Sequence, residues 1–421
     1  MTMKVIWICN LVLPFFSDSY GIRPSNFGGW MSESYRQIKS VPSIEISFAF
    51  PIFDEHRRRD FREDGVRVYS FDGNMDYDVF DDSYEFNFVD IFSREQPDII
   101  HIWGTEYKHS YYALRAAEKM GWVGRTLVDI QGLVSFINVH YLDGVPFDII
   151  NREAYIARPD SLINENKFYA DQGRTEEKAL SVARFVTGRT EWDHACVKLI
   201  NPRVKYFHNN RVLRSGFYNH SGNWDVNRCI RNSIFISNAS YALKGLHTFL
   251  PAVQLLTKEY CDLRVIVAGH NPLEYDSEGN RSQYGDYLEE TIKQMGLERI
   301  VSFVGILNES EMIEHLTNAH VFVASSTVEN SCNSLCEAMM IGTPVVSSFA
   351  GGLPSLVEHG TTGFLYQCNA AYMAAYYISK VFDNDECASR LSGNAISAAI
   401  KRHDKERVIR NMIRTYKRIL E

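Results

Sequence analysis

Two glutamates eight residues apart, Glu329 and Glu337, lie in the stretch Ser326–Phe364 (STVENSCNSLCEAMMIGTPVVSSFAGGLPSLVEHGTTGF), which is rich in small and polar residues. Asn330, Ser331 and Asn333 are residue types that start helices. The run Ser334–Met340 is helix-compatible, and Gly342 followed by Pro344 stops it. The first turn of such a helix, around Cys332–Leu335, carries unpaired N–H groups at the positive end of the helix dipole, which suits a phosphate. Glu337 lies one turn beyond Asn333, about 6 Å along the axis, where a carboxylate can take both hydroxyls of a ribose. Glu329 precedes the helix, on the other side of that phosphate, where a sugar would sit. Phosphate, ribose and sugar together describe a nucleotide-sugar. By themselves the two glutamates fit an exposed, decorated helix equally well.

The elements that must position them are short apolar runs separated by helical stretches. Strands are expected at Val5–Cys9, Ile44–Ile52, Val66–Phe71, Asp98–Trp103, Leu127–Ile130 and Arg184–Thr187, then at Ser233–Ser237, Leu263–Ala268, Ile300–Val304, His320–Ala324 and Pro344–Ser347. Helices are expected between them at Tyr111–Met120, Leu246–Glu259, Tyr287–Met295 and Ser310–Thr317. Strands that are apolar throughout and alternate with helices indicate parallel sheets covered on both faces. The series breaks in the polar stretch Phe217–Arg228, so the expected division is one α/β domain over 1–217 and a second over 226–400. Lys401–Glu421 reads as one final helix with an apolar stripe of Val408, Met412, Ile413, Tyr416 and Ile419. Its basic residues are either a solvated face over a docked stripe or a contact for an anionic membrane surface. No internal repeat is visible. Doubly wound domains bind ligands at the carboxyl ends of their strands.

The spacing Glu329-x7-Glu337, with Gly342-Thr-Pro344, Gly351-Gly352 and Gly360-Thr-Thr-Gly363-Phe after it, resembles glycosyltransferase family 4, retaining enzymes of the GT-B fold. Ser237–Gly245 (SNASYALKG) resembles the family segment ending in Lys-Gly, Val267-Ala-Gly269 its next strand end, and Phe303-Val-Gly305 the turn where the base packs. Phe27-Gly28-Gly29 resembles the Gly-Gly loop of the first domain, and His101–Ser110, Ile130–Ser135 and Val186–Asp193 resemble a subgroup of bacterial surface-polysaccharide enzymes. The resemblance covers most of the second half and parts of the first. It implies two Rossmann-like domains with an interdomain cleft, the second binding a UDP- or GDP-linked sugar and the first a glycan or lipid-linked acceptor. Glu329 would contact the sugar, the amides around Cys332–Leu335, those of Asn333, Ser334 and Leu335 among them, would contact the diphosphate, and Asn330 would also bind the donor. Glu337 would hold the ribose and Lys244 would neutralise the leaving group. Gly28, Gly29, Gly269 and Gly305 would line the donor. No cofactor and no metal is implied.

The chain departs from the family in two places. Most members carry an arginine five residues before the lysine, where this sequence has Ala239; either Arg189 or Arg211 supplies the charge from elsewhere or the site runs with one cation fewer, and the plainer reading of Arg189 is a helix cap or a pair with Glu191 or Asp193. A family histidine near the sugar corresponds to Gln131, which hydrogen-bonds but does not titrate near neutrality. His109 and Glu106, on the loop after the strand 98–103, are candidates for sugar or acceptor contact, His109 with a catalytic role; His101, inside the strand, reads as a core residue. Cys332 and Cys336 read as packing. The run His56-Arg57-Arg58-Arg59 with Arg62 is a solvated face or a receptor for a lipid pyrophosphate.

Of the 421 residues, 45% are hydrophobic and 23% charged, which excludes global disorder. A net charge of −8 argues against a dedicated nucleic-acid binder. No apolar run approaches the ~20 residues of a membrane span, and the first ten residues read as a strand and not a signal peptide. Eight scattered cysteines without a C-x-x-C fit a reducing compartment and free thiols. The expectation is a cytoplasmic retaining glycosyltransferase of polysaccharide biosynthesis, with peripheral contact at the inner face of the membrane. The rival readings are a catalytically inactive sugar-nucleotide-binding or assembly partner, favoured by Ala239 and Gln131, and a GT-B sugar-nucleotide epimerase.

Overall fold

A computed structural model describes residues 2–22, 28–53, 60–73 and 81–421. The chain forms two compact units: Met1–Phe136 with Tyr169–Val212 and His403–Glu421, and Ile137–Phe168 with Leu213–Arg402.

The first unit is built on a sheet of eight strands. They are β1 (Met3–Ile8), β2 (Ile44–Ile52), β3 (Phe61–Glu63), β4 (Val66–Asp72), β5 (Ile99–Trp103), β6 (Thr126–Asp129), β7 (Phe185–Gly188) and β8 (Lys205–His208), in the order β3-β4-β2-β1-β5-β6-β7-β8. All neighbours are parallel except β3 and β4. Alternate residues of β1 feed two separate apolar layers, because successive strand side chains point to opposite faces. Ile6 and Ile8 join Ile100, Ile102 and Val128 beneath the helices Asp82–Glu95 and Lys108–Lys119. Val5 and Trp7 join Phe48, Phe50 and the helix Gly29–Lys39 on the other face.

The second unit holds β9 (Ile230–Ile236), β10 (Arg264–Ala268), β11 (Val301–Gly305), β12 (Ala319–Ala324), β13 (Val345–Ser348) and β14 (Phe364–Tyr366), ordered β11-β10-β9-β12-β13-β14 and parallel throughout. β12 and β13 are buried along their whole length, which explains why they read as continuous apolar runs. Both units are thus doubly wound α/β folds.

The strands expected from the sequence are present, and three more appear: β3, β8 and β14. Each has three or four residues and contributes too short an apolar run to stand out. Two expectations need correction. The final helix does not begin at Lys401: Lys401 and Arg402 end the helix Asp385–Arg402, and a new helix, Lys405–Leu420, starts where Asp404 accepts a hydrogen bond from the Arg407 amide at 2.6 Å. Its apolar stripe is docked, with Ile409, Met412, Tyr416 and Ile419 in the first unit's core beside Trp7. The division near 217–226 also misses a segment. Residues 137–168 group with the second unit, held by an Arg152–Glu290 ion pair, a hydrogen bond from the Leu162 amide to Gln283 (2.9 Å) and one between His247 and the Asp143 carbonyl (2.9 Å).

Candidate functional site

β9 and β12 are neighbours, yet the chain proceeds from β9 outward to β10 and β11 and from β12 outward to β13 and β14. Their carboxyl ends therefore mark the topological switch point of the second unit. The loop 237–245 leaves β9 there and the loop 325–332 leaves β12. Lys244 stands on the first loop and Glu329 on the second, and Lys244 Nζ lies 2.8 Å from a Glu329 carboxylate oxygen. Burial works against the Lys244 charge, but Glu329, then Tyr241 and Cys332, outweigh it and hold the ammonium well above its ordinary range.

Close backbone contact fixes this pair. Gly245 has φ +69°, and a Cβ there would lie 2.1 Å from the Ser325 carbonyl oxygen. Ser325 Oγ donates to the Lys244 carbonyl at 2.8 Å, and the Thr327 amide donates to Leu243 at 2.9 Å. On the far side, a Cβ on Gly351 would meet the Glu329 carbonyl at 2.3 Å, and the Gly352 amide donates to that same oxygen at 2.7 Å. The two glycine sites of the motif are therefore where backbone presses on backbone.

The helix after Glu329 runs Asn333–Ile341. Its N-cap is Cys332 and not one of the asparagines, and Cys332 makes no side-chain cap. Its thiol is 3.2 Å from Ser334 Oγ, which accepts a hydrogen bond from Ser237 Oγ at 2.7 Å. Asn330 and Leu335 are buried. Glu337 is buried one turn into the helix and paired in bidentate fashion with Arg214, whose Nε and Nη2 each donate at 2.8 Å. Burial pushes the Glu337 carboxyl up, and Arg214 opposes that rise. Each carboxylate oxygen keeps a lone pair for a further donor. Arg214 has no motif around it in the sequence, and only the fold reveals it. Gly269 follows β10 and Gly305 ends β11, and the Gly269 amide donates to the Gly305 carbonyl at 2.9 Å. Val304 and Ile306, flanking Gly305, expose apolar surface.

The other predicted residues belong to the first unit. Gly28, at φ +75°, caps the helix that Gly29 begins; Phe27 and the run 56–59 lie outside the described residues. Glu106 follows β5, and its carboxylate accepts from the Thr105 amide at 2.6 Å. Gln131 follows β6. His109 is buried in the first turn of Lys108–Lys119, stacked on Tyr107 at 5.4 Å and against Phe71 at 5.0 Å. Burial drops its pKa to about 3, so it is neutral at pH 7. Among the described residues Arg189 neither caps a helix nor pairs with an acid through its side chain: it donates to the carbonyls of Ile130 and Gln131 at 3.2 and 3.3 Å, while Thr190 caps the helix Glu191–Ile200. Arg211 pairs with Asp129 and covers the Trp30 ring at 3.6 Å. His101 is a core residue, 2.6 Å from Tyr416 Oη and stacked on Trp103.

Over residues 231–398 the sequence matches the family described as glycosyl transferases group 1. Residues 231–398 are a glycosyltransferase group 1 domain. This domain carries the Lys244–Glu329 pair and the helix Asn333–Ile341. The chain is 26% identical over 220 residues to the amylovoran biosynthesis glycosyltransferase AmsK of Erwinia amylovora, covering 50% of this chain and 49% of that protein. It spans about a third to a half of the length of the curated relatives it matches. Sucrose-phosphate synthase from Thermosynechococcus elongatus aligns over 99% of both chains with a TM-score of 0.68 and 14% identity. HepE from Anabaena, in complex with UDP-glucose, aligns over 99% of both chains with a TM-score of 0.67 and 14% identity. The group 1 domain is thus one half of a two-domain α/β fold of the GT-B class.

Proposed function

We propose that the chain is a retaining glycosyltransferase that moves a sugar from a nucleoside-diphosphate sugar to a glycan or lipid-linked acceptor in polysaccharide biosynthesis. The observation that carries this reading is the Lys244–Glu329 pair at the switch point, directly before the N-terminus of Asn333–Ile341. As the glycosidic bond breaks, negative charge gathers on the diphosphate. Preorganised cations and N–H donors in a buried site stabilise that charge most effectively. Lys244 supplies the cation, the first-turn amides of Asn333, Ser334 and Leu335 supply donors, and Glu329 is released from Lys244 to hold the sugar hydroxyls. Glu337, steadied by Arg214, takes the ribose, and the apolar surface at Val304 and Ile306 receives the base. With Lys244 and the helix end carrying the charge, the reaction is proposed to need no metal. The first unit then binds the acceptor, with Glu106, Gln131 and His109 near it, and the basic face of the last helix rests on an anionic membrane surface.

Thermal unfolding against nucleoside diphosphates tests the donor site. UDP is tried first, since HepE is described with UDP and UDP-glucose. A ligand at about 100 times its Kd adds roughly 2.7 kcal/mol to the unit it binds. The expected result is a shift with one diphosphate that persists in EDTA and shrinks in Glu337→Gln. That variant is preferred to alanine, which would strand Arg214 without its buried partner at a cost of about 3–5 kcal/mol. No shift with any nucleotide would count against the transferase reading.

A further inference from the structure

The helix Leu162–Val182 brings one fully buried acid, Glu176, to the carboxyl ends of β5 and β6 in the first unit. One carboxyl oxygen of Glu176 accepts from both the amide (3.0 Å) and the hydroxyl (2.6 Å) of Ser135. The other oxygen lies 2.5 Å from Thr105 Oγ1, which is also 3.1 Å from the Gly132 carbonyl oxygen. A turn earlier on the same helix, Gly173 makes room for this loop: a Cβ there would stand 2.7 Å from Ser135 Cα. Gly173 and Glu176 together form a dock for residues 131–135, and Glu176 ties that loop to the one carrying Thr105 and Glu106.

The proton count identifies the state of the clamp. Thr105 Oγ1 has one proton and faces two oxygens. If Glu176 were a carboxylate, both would be acceptors, and only one of the pair could be satisfied at a time. If Glu176 is a carboxylic acid, its own O–H donates to Thr105 Oγ1, Thr105 donates to the Gly132 carbonyl, and the Ser135 donors fill the remaining oxygen. We propose that Glu176 is a neutral carboxylic acid that clamps the Thr105–Glu106 loop to the Gln131–Ser135 loop, and so acts as the positioning residue for Glu106 and Gln131. This rests on the reading that these loops form the acceptor side.

The titratable groups facing Glu176 are Glu106, on the loop after β5, and Cys196, on the helix Glu191–Ile200. Burial, reinforced by the like charge of Glu106, raises the Glu176 pKa from 4.5 to about 7. The folded protein therefore holds this proton when the unfolded chain has lost it. The stability it adds is full below about 4.5 and is lost as pH rises through about 7.

The test compares wild type, Glu176→Gln and Glu176→Ala across this range by melting temperature and by hydrogen exchange of the amides at 105–106 and 132–135. Glutamine reproduces the neutral acid, with its carbonyl accepting from Ser135 and its NH2 donating to Thr105. The expected result is that E176Q protects both loops at every pH. Wild type should match it on the acid side and lose protection and melting temperature relative to it above about pH 7. E176A should expose both loops throughout; if it does not fold, the first two proteins decide. E176Q loops as open as those of E176A at acid pH, or a wild-type-minus-E176Q difference that does not change with pH, would overturn the proposal. Stabilisation of the wild type by the nucleoside diphosphate panel, measured alongside, reports on the transferase reading separately: no shift with any of them overturns that reading while the exchange data still decide Glu176.

Discussion

At the scale of single residues, the Lys244–Glu329 pair sets the expected chemistry. In the structure the two charges satisfy one another across 2.8 Å; a diphosphate that draws Lys244 away frees the Glu329 carboxylate for sugar hydroxyls. Lys244→Ala is therefore expected to lower turnover by about 10²–10³-fold, the usual cost of one lost transition-state donor, with a smaller loss of nucleotide affinity. Steady-state kinetics separate the two, and a loss confined to affinity would remove the leaving-group role. Glu337 was legible as a carboxylate one turn into an expected helix, and Glu329 and Lys244 through the resemblance of their segments to glycosyltransferase family 4. Arg214 was not: it reaches Glu337 from 123 positions away, and no local pattern marks it. Arg189 has acidic neighbours in the sequence, Glu191 and Asp193, yet its guanidinium turns to the carbonyls of Ile130 and Gln131, which no local pattern marks.

At the scale of elements, the loops that carry these side chains are held by close approach and not by side-chain packing alone. Gly245 sits in the left-handed region with no room for a Cβ beside Ser325. Gly245→Ala is expected to cost at least about 1–3 kcal/mol from the backbone alone, seen as a lower melting temperature and a weaker nucleotide-induced shift. A variant as stable as the wild type would show that the Lys244 and Ser325 loops are not locked. The long apolar strands could be read directly, since a buried parallel strand needs side chains that suit both covered faces. β3, β8 and β14 could not, being stabilised by a neighbour's hydrogen-bonding edge more than by their own composition. The break at His403–Asp404 has no mark in the sequence pattern, because helical spacing continues across it. The Asp404 cap, reinforced by a 2.7 Å contact between His403 and the Arg211 carbonyl, ends one helix and starts the next.

At the scale of the whole molecule, no described helix is long and apolar enough to cross a membrane. The last helix instead buries one face in the first unit and turns Arg414, Lys417 and the Arg410–Glu406 ion pair (3.5 Å) to a groove of about 460 Å³ with Ile409, Ile413 and Val41 among its lining. A basic rim over an apolar floor suits an anionic lipid surface, at roughly 1 kcal/mol per basic side chain. Wild type is expected to sediment with vesicles containing phosphatidylglycerol and not with phosphatidylcholine alone. Arg414→Glu with Lys417→Glu should abolish that binding without lowering the melting temperature. Equal sedimentation of the double variant would remove the membrane contact.

The sequence by itself determined two doubly wound α/β folds and the loops at which the donor chemistry would be sought. The folds follow from short-range rules, the period of apolar residues and the places where helices start and stop, while the loops were marked by those rules together with the resemblance to glycosyltransferase family 4. What only the tertiary structure decided is which groups meet. It paired Lys244 with Glu329 and Arg214 with Glu337, buried His109 as a neutral ring, assigned residues 137–168 to the second unit, and gathered Thr105, Gly132 and Ser135 around Glu176. Such meetings join residues tens to hundreds of positions apart, and burial sets their protonation. Neither the distance nor the burial is written in any local stretch of the chain.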